Sequence, residues 1–193
     1  MKITAHERSQ GWRLLFDGRK LYDWRGYQQN KIPKNWSIVD GSLVTTGGTP
    51  LVSEADYRDF ELVFDWKVQE GGSAEVFFRV DEDVDVPGNS GPVMQLAGPG
   101  VAMGSNGLVA PTRAVALQPD VWYRTKIVVY GNQVEYFDGS DQLLSYMIDS
   151  ADWRAAVAGS RYHTFKQFGL LREGRLVLSG SNATFRNIKV KPL

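Results

Sequence analysis

Four polar side chains at alternating positions of predicted strands could perform acid–base chemistry. Glu75 and Arg79 share one face of a strand, Asp65 lies on the strand before it, and Gln95 lies on a strand after it. Paired carboxylates are the usual groups for acid–base work on acetals, and Arg and Gln orient hydroxyl or carbonyl oxygens. If these strands are neighbours in one curved sheet, we expect the four side chains to converge on a concave surface. The alternative is a solvated face with cross-strand ion pairs, because half-solvated antiparallel sheets are common.

The elements that would position these residues follow a hydrophobic period of two, interrupted by turn residues at short intervals. A Gly-rich connection at 70–72 predicts a hairpin-like pair from the strands on either side of it. Gly131-Asn132 predicts a second, two-residue hairpin. Strands are predicted at 11–16, 36–39, 42–46, 60–68, 74–80, 92–97, 122–130, 133–138, 143–148, 175–178 and 184–191.

One helix is predicted at 151–158, with Ser150 as its N-cap and Gly159 at its C-terminal end. Residues 81–91 and 98–118 are predicted to be long loops. Many short strands, a single helix and no alternation of strands with helices favour an all-β sandwich or barrel.

The composition limits the class of function. The chain has 193 residues and no linker or repeat, which predicts one domain spanning residues 1–193. Lys plus Arg (22) equals Asp plus Glu (22), so there is no electrostatic case for a nucleic-acid partner or an anionic membrane. No apolar run is long enough for a membrane span. Without cysteine and with two histidines, a thiolate or His-rich metal site is not expected, and no motif predicts a cofactor.

The acidic stretch at 81–85 allows two interpretations. Its carboxylates could hold a structural calcium ion. A solvated charge run is the favoured interpretation, because loops of this composition need no ion.

Several segments recur together in the order and spacing typical of one known family. They are GWRLLFDGRKL at 11–21, WRG at 24–26, WSIVDGSL at 36–43, DFEL at 59–62, DW at 65–66, VFFR at 76–79, WYRTKIVVYGN at 122–132 and FRNIKV at 185–190. On these segments the chain resembles the 3-keto-disaccharide hydrolase family from about residue 11 to the C-terminus. The resemblance implies a concanavalin A-like jelly-roll β-sandwich. It also implies hydrolysis of glycosides whose sugar carries a 3-keto group, with the carbohydrate ligand on the concave sheet.

These two lines of reasoning give each candidate residue a role. Asp65 and Glu75 are the candidate general acid and base, and Arg79 and Gln95 would orient sugar oxygens. Trp24 and Tyr27, in a Gly-bearing loop, would supply a stacking surface for the sugar.

Asn106 and Arg113 would line the rim of the same site. Both lie in the long loop at 98–118, and loops commonly carry functional residues.

The sequence departs from the family pattern at functional positions. Val93 stands where relatives carry an acid, Gly98 where they carry a later Asp, and residues 179–182 replace an Asp-His pair. Conversely, Glu75 stands where relatives carry a small glycine. One hypothesis is that a carboxylate has moved from position 93 to position 75 on the same face. The alternatives are a lectin-like carbohydrate-binding module that has lost catalysis, and a hydrolase that uses other acids on another substrate.

The N-terminal residues bear on localisation. Residues 1–7 have no apolar core of the kind that a signal peptide needs. Either the protein is not exported or the sequence starts after a removed leader. We expect a periplasmic or extracellular location, with the leader absent from this sequence and a cytoplasmic location left open.

Overall fold

The computed structural model describes residues 3–100 and 103–193, in which antiparallel β-sheet dominates. The strands are β1 Arg13–Leu14, β2 Trp24–Gly26, β3 Trp36–Val39, β4 Ser42–Thr45, β5 Leu51–Tyr57, β6 Phe60–Val80, β7 Val93–Ala97, β8 Tyr123–Tyr130, β9 Gln133–Asp138, β10 Asp141–Met147 and β11 Gly174–Pro192. The helices are α1 Ala5–Ser9 and α2 Ala151–Ala158, with 3-10 helices at Pro87–Asn89 and Arg161–Thr164. Within these ranges no helix is long and apolar enough to cross a membrane.

Two long strands, β6 and β11, pair antiparallel along their lengths and bend together near the register pair Ser73 and Ser181. The rings of Phe60 and Phe78, near opposite ends of β6, lie 6.1 Å apart. In a straight strand these two residues would be separated by about 60 Å. The strand therefore folds back, and its two halves lie in opposite layers of a sandwich.

The bend divides the strands between two layers, which we call the first and second sheets. The first sheet contains residues 60–68 of β6, followed by β8, β9 and β10, and residues 183–192 of β11 with β1, β4 and β3. The second sheet contains residues 74–80 of β6 with β7, and residues 174–181 of β11 with β5 and β2. The predicted all-β sandwich is confirmed.

The core lies between the two sheets and takes the even-numbered residues of both halves of β6. Phe64, Trp66 and Val76 are fully buried there, and the Trp66 indole donates to Thr125 Oγ1 at 2.9 Å. Each buried side chain of this size stabilises the fold by about 1.5–3 kcal/mol. Because side chains alternate along a strand, the odd-numbered residues of the two halves, as far as Phe77, point outward on opposite faces of the molecule.

The predicted hairpin between 60–68 and 74–80 is wrong, because the two segments are halves of one bent strand. Both pair with β11 instead of with each other. At the bend, a Cβ at Gly72 would approach the carbonyl oxygens of Gln69 and Ser181 to 2.9 Å, so only glycine fits. The predicted strands at 175–178 and 184–191 are likewise one strand, and β2 and β5 were not predicted.

The predicted helix at 151–158 is confirmed as α2. The Ser150 hydroxyl caps it by accepting from the Trp153 backbone N–H at 3.1 Å. The Trp153 ring stacks on Tyr146 of β10 at 5.0 Å and on Phe168 at 5.8 Å, and Phe168 stacks on Tyr162 at 4.1 Å. This stack of four aromatic rings attaches α2 and the second 3-10 helix to the sandwich.

Candidate functional site

A strip of polar side chains crosses the outer face of the second sheet. Glu75 of β6 lies in register with Gln95 of β7 on one side and with Ser179 of β11 on the other. Ser73 and Ser181 form the register pair two residues further along β6. Gln95 is buried and the other four are half-buried. We call these five residues the Glu75 strip.

Glu75 is the one carboxylate among the five residues of the strip. Burial raises the pKa of its carboxyl, while a hydrogen bond with Gln95 and the positive charge of Arg161 oppose that rise. A carboxylate with a raised pKa is a better proton acceptor in its ionised form and works closer to neutral pH. Its register neighbours are an amide and a hydroxyl, so neither neutralises its charge.

Arg161 brings a positive charge to one end of the strip. A side chain added at Gly88 would meet the Phe77 ring at 3.3 Å and the Arg161 guanidinium at 3.9 Å, so the guanidinium lies close to the Phe77 ring. Phe77 is two residues from Glu75 on the same strand and points to the same face. Arg161 forms no ion pair with any carboxylate in the described ranges.

The position of Arg161 is fixed by its neighbours in the second 3-10 helix. The Ser160 hydroxyl caps this helix by accepting from the Tyr162 backbone N–H at 3.1 Å. The buried Tyr162 hydroxyl accepts from Arg161 Nη2 at 3.1 Å and from Asn106 Nδ2 at 2.8 Å. Asn106, a predicted rim residue, therefore supports the arginine through Tyr162.

The remainder of this face is covered by the loop between β6 and β7. Beneath the loop lies a small apolar cluster that includes Phe77, Val93 and Tyr27. The Tyr27 hydroxyl donates to the Val84 carbonyl oxygen at 2.7 Å, and the residue is 6% exposed. The prediction that Tyr27 stacks on a sugar is wrong, because the loop occupies that surface.

The acidic stretch in this loop is held by ion pairs. Glu82 makes a bidentate pair with Arg25 of β2, in which one contact measures 2.7 Å, and accepts from the Gln28 backbone N–H at 3.0 Å. Arg175 of β11 lies 3.8 Å from the same carboxylate. No group of three His, Asp or Glu side chains in residues 3–100 and 103–193 is arranged to hold a metal ion. Glu82 therefore ties the loop to the second sheet.

Asp65 lies on the opposite face of the molecule from Glu75, so the predicted convergence of the two carboxylates is wrong. It belongs to the first half of β6, and the bend turns the outer faces of the two halves away from each other. Its carboxylate accepts from Arg124 Nε at 2.7 Å and from the Asn187 amide, and Arg186 Nε lies 3.6 Å away. The structure thus places Asp65 in a cross-strand ion-pair network.

Arg79 does not share a face with Glu75, and this prediction is also wrong. Its φ of +50° interrupts the alternation of the strand and turns the side chain inward, where it is 1% exposed. The guanidinium donates to the carbonyl oxygens of Arg58 at 2.9 Å and Gly131 at 2.7 Å, and it pairs with Asp59 at 3.3 Å. It connects the turns at one end of the sandwich.

The last two predicted binding residues are likewise remote from the strip. Trp24 is 2% exposed in the main core, with its indole donating to the Leu15 carbonyl oxygen at 2.7 Å, so it cannot stack on a sugar. Arg113 pairs with Asp138 at 2.8 Å and with Asp141 at 3.5 Å, on the hairpin of the first sheet. Neither side chain contacts the Glu75 strip.

Two of the positions that depart from the family pattern lie beside Glu75. Val93 is the register partner of Phe77, so it lies one row from Glu75 on the same face, a diagonal of about 7–8 Å. Ser179 is the direct register partner of Glu75. The geometry therefore allows the hypothesis of a relocated carboxylate, which stays a hypothesis.

Arg161 and Tyr162 were not among the residues predicted from the sequence. Their link to Asn106 spans more than fifty residues and depends on the aromatic stack, so no local pattern indicates it. The serine caps at positions 150 and 160 were the available signals, and they predict where the helices begin but not what they face.

The arrangement is suited to moving one proton next to a developing negative charge. Glu75 can accept a proton, Arg161 can stabilise an oxyanion, and Gln95 with Ser179 can hydrogen-bond hydroxyl groups. Hydrolysis by paired acids would instead require a second carboxyl at about 5–10 Å. The residues next to Glu75 in the sheet register carry no second carboxyl group.

Comparisons with known proteins place the chain in a family. A family model described as the 3-keto-alpha-glucoside-1,2-lyase-like domain matches residues 11–191. A 3-keto-disaccharide hydrolase of Bacteroides thetaiotaomicron is 26% identical over 230 residues, covering 96% of this chain and 79% of that protein.

Solved structures resemble the whole sandwich. A protein of Parabacteroides distasonis, assigned as a glycosyl hydrolase, superposes with a TM-score of 0.92 at 25% identity, covering 100% of this chain and 98% of its own. A Bacillus licheniformis beta-glucanase superposes with a TM-score of 0.58 at 9% identity, covering 94% of this chain and 97% of its own, which shows the fold alone. The predicted jelly-roll class is confirmed.

Proposed function

The chain belongs to the 3-keto-alpha-glucoside-1,2-lyase-like domain family, and on that basis we propose that it cleaves 3-keto glycosides on the Glu75 strip. Glu75 is the general base of this reaction. The observation that carries the proposal is its environment: a half-buried carboxylate with a raised pKa and no neutralising partner in the register, near the guanidinium of Arg161, which pairs with no carboxylate in the described ranges.

The chemistry follows from the ketone. A carbonyl at C3 of the sugar makes the hydrogen on C2 acidic, because the electron pair left by its removal spreads onto the C3 oxygen as an enolate. The Glu75 carboxylate takes this proton. The electron pair then forms the C1–C2 double bond and the C1–O bond to the leaving alcohol breaks. That alcohol oxygen takes a proton from the Glu75 carboxylic acid, which restores the base.

The remaining groups of the site assist this elimination. Arg161 stabilises the enolate oxygen. Removal of one such donor typically lowers the rate of a reaction by about 10²–10³-fold. Gln95 and Ser179 hydrogen-bond the sugar hydroxyls. Subsequent addition of water across the double bond, with hydroxyl on C1 and hydrogen on C2, gives the 3-keto sugar, and the overall result is hydrolysis.

This proposal also accounts for a site with one carboxylate. An elimination needs a base and an oxyanion donor, whereas direct hydrolysis of an acetal needs two carboxyl groups. The loss of the acid at Val93 is therefore compatible with catalysis.

The test is an NMR time course on a 3-keto-disaccharide and on the unoxidised parent disaccharide. We expect cleavage of the keto compound only, with an unsaturated keto sugar as the first product. Equal cleavage of the parent would contradict the proposal, because its C2 hydrogen is not acidic.

A carbohydrate-binding module without catalysis is the second candidate. It is favoured by the same observation of a single carboxylate in a site whose family pattern is altered. Binding of the 3-keto-disaccharide by calorimetry, with no product after prolonged incubation, would select this function.

A further inference from the structure

An open groove of about 650 Å³ lies at the edge of the first sheet, away from the Glu75 strip. Arg8, Trp12, Arg13 and Arg19 contribute to its lining, together with Leu14. Arg13 and Leu14 form β1, which pairs with β11 in the first sheet. Its volume is within the range of about 300–1,000 Å³ that is typical of small-molecule sites.

The wall that carries Arg8 is well fixed for a segment so close to the N-terminus. Thr4 and Glu7 form a capping box at the start of α1. Lys189 of β11 pairs with Glu7, and hydrogen bonds with Lys189 and Thr4 lower the pKa of that carboxyl to about 2. The Trp12 backbone N–H donates to the Glu7 carbonyl oxygen at 3.0 Å. These contacts attach α1 to the first sheet and hold Arg8 beside the groove.

The groove is positively charged, since three arginines and one carboxylate, Asp17, line it. Arg8 and Arg13 form no ion pair with carboxylates in the described ranges, and the polar contact of Arg13 is with the Tyr57 hydroxyl at 3.4 Å. All three arginines are exposed. Because the whole chain has no net charge, this is a local excess and not a general attraction for polyanions.

Trp12 gives the groove a flat apolar wall. The indole is half-buried, and the Lys189 ammonium lies 5.0 Å from the ring centroid. An indole face packs well against the C–H face of a pyranose ring. A guanidinium forms two parallel hydrogen bonds to a carboxylate, which an ammonium cannot do.

We propose that this groove is an accessory binding site for a carboxylate-bearing sugar of the uronate type. The carboxylate pairs with Arg8 and Arg13, and the pyranose ring lies on Trp12. The site is separate from the Glu75 strip and requires no turnover there. It would hold an acidic glycan on the protein at a point remote from the reacting bond.

The test is an NMR titration of the full chain, following the Trp12 indole N–H, with glucuronate, glucose and triglutamate as probes. We expect glucuronate to shift this signal in a saturable way, and glucose and triglutamate to bind at least tenfold more weakly. The double variant Arg8→Gln/Arg13→Gln should weaken glucuronate binding at least tenfold. Arg13→Lys, which keeps the charge, should weaken it severalfold. Arg154→Gln, an exposed arginine of α2 outside the groove, is the matched control and should change nothing.

The opposite results would overturn the proposal. They are a glucuronate response that survives the double variant, an equal response to glucose, or a stronger response to triglutamate, which would mark an acidic-peptide site. Circular dichroism melting of each variant verifies that the fold is intact. The readout is binding alone, so failure of the proposed reaction at Glu75 would leave it unaffected.

Discussion

Asp65 and Glu75 lie ten positions apart on one strand, and both point outward, yet they occupy opposite chemical environments. Asp65 is in contact with two arginines and an asparagine, and it is 5% exposed. Glu75 has an amide and a hydroxyl beside it and an arginine that lies near but does not pair with it. Asp65 links three strands through its contacts, whereas Glu75 is available to accept and release a proton.

Alternation along a strand therefore identifies which residues share a face, but not on which side of the molecule that face lies. The bend in β6 converts one predicted face into two surfaces. The first sheet uses its outward charges as cross-strand pairs, and the second sheet leaves one charge unpaired. The following predictions test whether this division is real.

We expect the Glu75→Gln substitution to have the largest effect on activity. Removing the base should lower kcat on a 3-keto-disaccharide by about 10³-fold, within the range of general base catalysis. The matched control is Asp65→Asn, which should keep kcat within twofold. Steady-state kinetics of both variants measures the two effects. An equal loss of kcat in both would show that the two carboxylates do not differ in their contribution to catalysis.

Arg161→Gln should lower kcat/KM by about 10²-fold, because an oxyanion donor is lost. The positive charge of Arg161 opposes the rise in the pKa of Glu75. Its removal should therefore raise that pKa further and move the acidic limb of the pH profile to higher pH. A lower kcat/KM with an unchanged pH profile would indicate that Arg161 only supports the fold and does not act on the charge of Glu75.

Asp65→Asn should reduce the free energy of unfolding by about 1–2 kcal/mol, less than for a fully buried pair because Arg124 is exposed and can return to water. Urea denaturation measures the change. Asp120→Asn removes an exposed ion pair with Lys67 and serves as the control, with an expected loss below about 0.5 kcal/mol. Similar losses in both would mean that the Asp65 network contributes no more than a surface pair.

The smallest effect concerns stability and pH. Burial raises the folded-state pKa of Glu75 above its ordinary value of 4.5, so the folded state binds the proton more tightly than the unfolded state. The contribution of protonated Glu75 to the free energy of unfolding is therefore complete below pH 4.5, and it is lost as pH rises through the folded-state pKa. Glu75→Gln should remove this slope from urea midpoints measured between pH 4 and 7. A slope that persists in the variant would assign it to another group.

Much of the fold was predictable because it is encoded locally. Period-two alternation predicted most strands, Gly131-Asn132 predicted the hairpin between β8 and β9, and Ser150 with Gly159 predicted the limits of α2. The strand β2 was missed because three residues are too few to show a period.

The candidate site was predictable only in part, because its assembly is long-range. Glu75 and Gln95 were expected to share one surface, and the pairing of β6 with β7 places them opposite each other. The left-handed residue at Arg79 reverses a side chain without any glycine to signal it, and Asn is more usual at such positions. The placement of Arg161 depends on the stacking of four rings, from β10, α2, the second 3-10 helix and the turn that follows it.

The most direct test of the account is exchange of the C2 hydrogen of a 3-keto-disaccharide in deuterated water, followed by NMR with wild type, Glu75→Gln and Asp65→Asn. The account predicts rapid loss of the C2 proton signal with wild type and Asp65→Asn, and loss at the uncatalysed rate with Glu75→Gln. Full exchange with Glu75→Gln, or its abolition by Asp65→Asn, would contradict it.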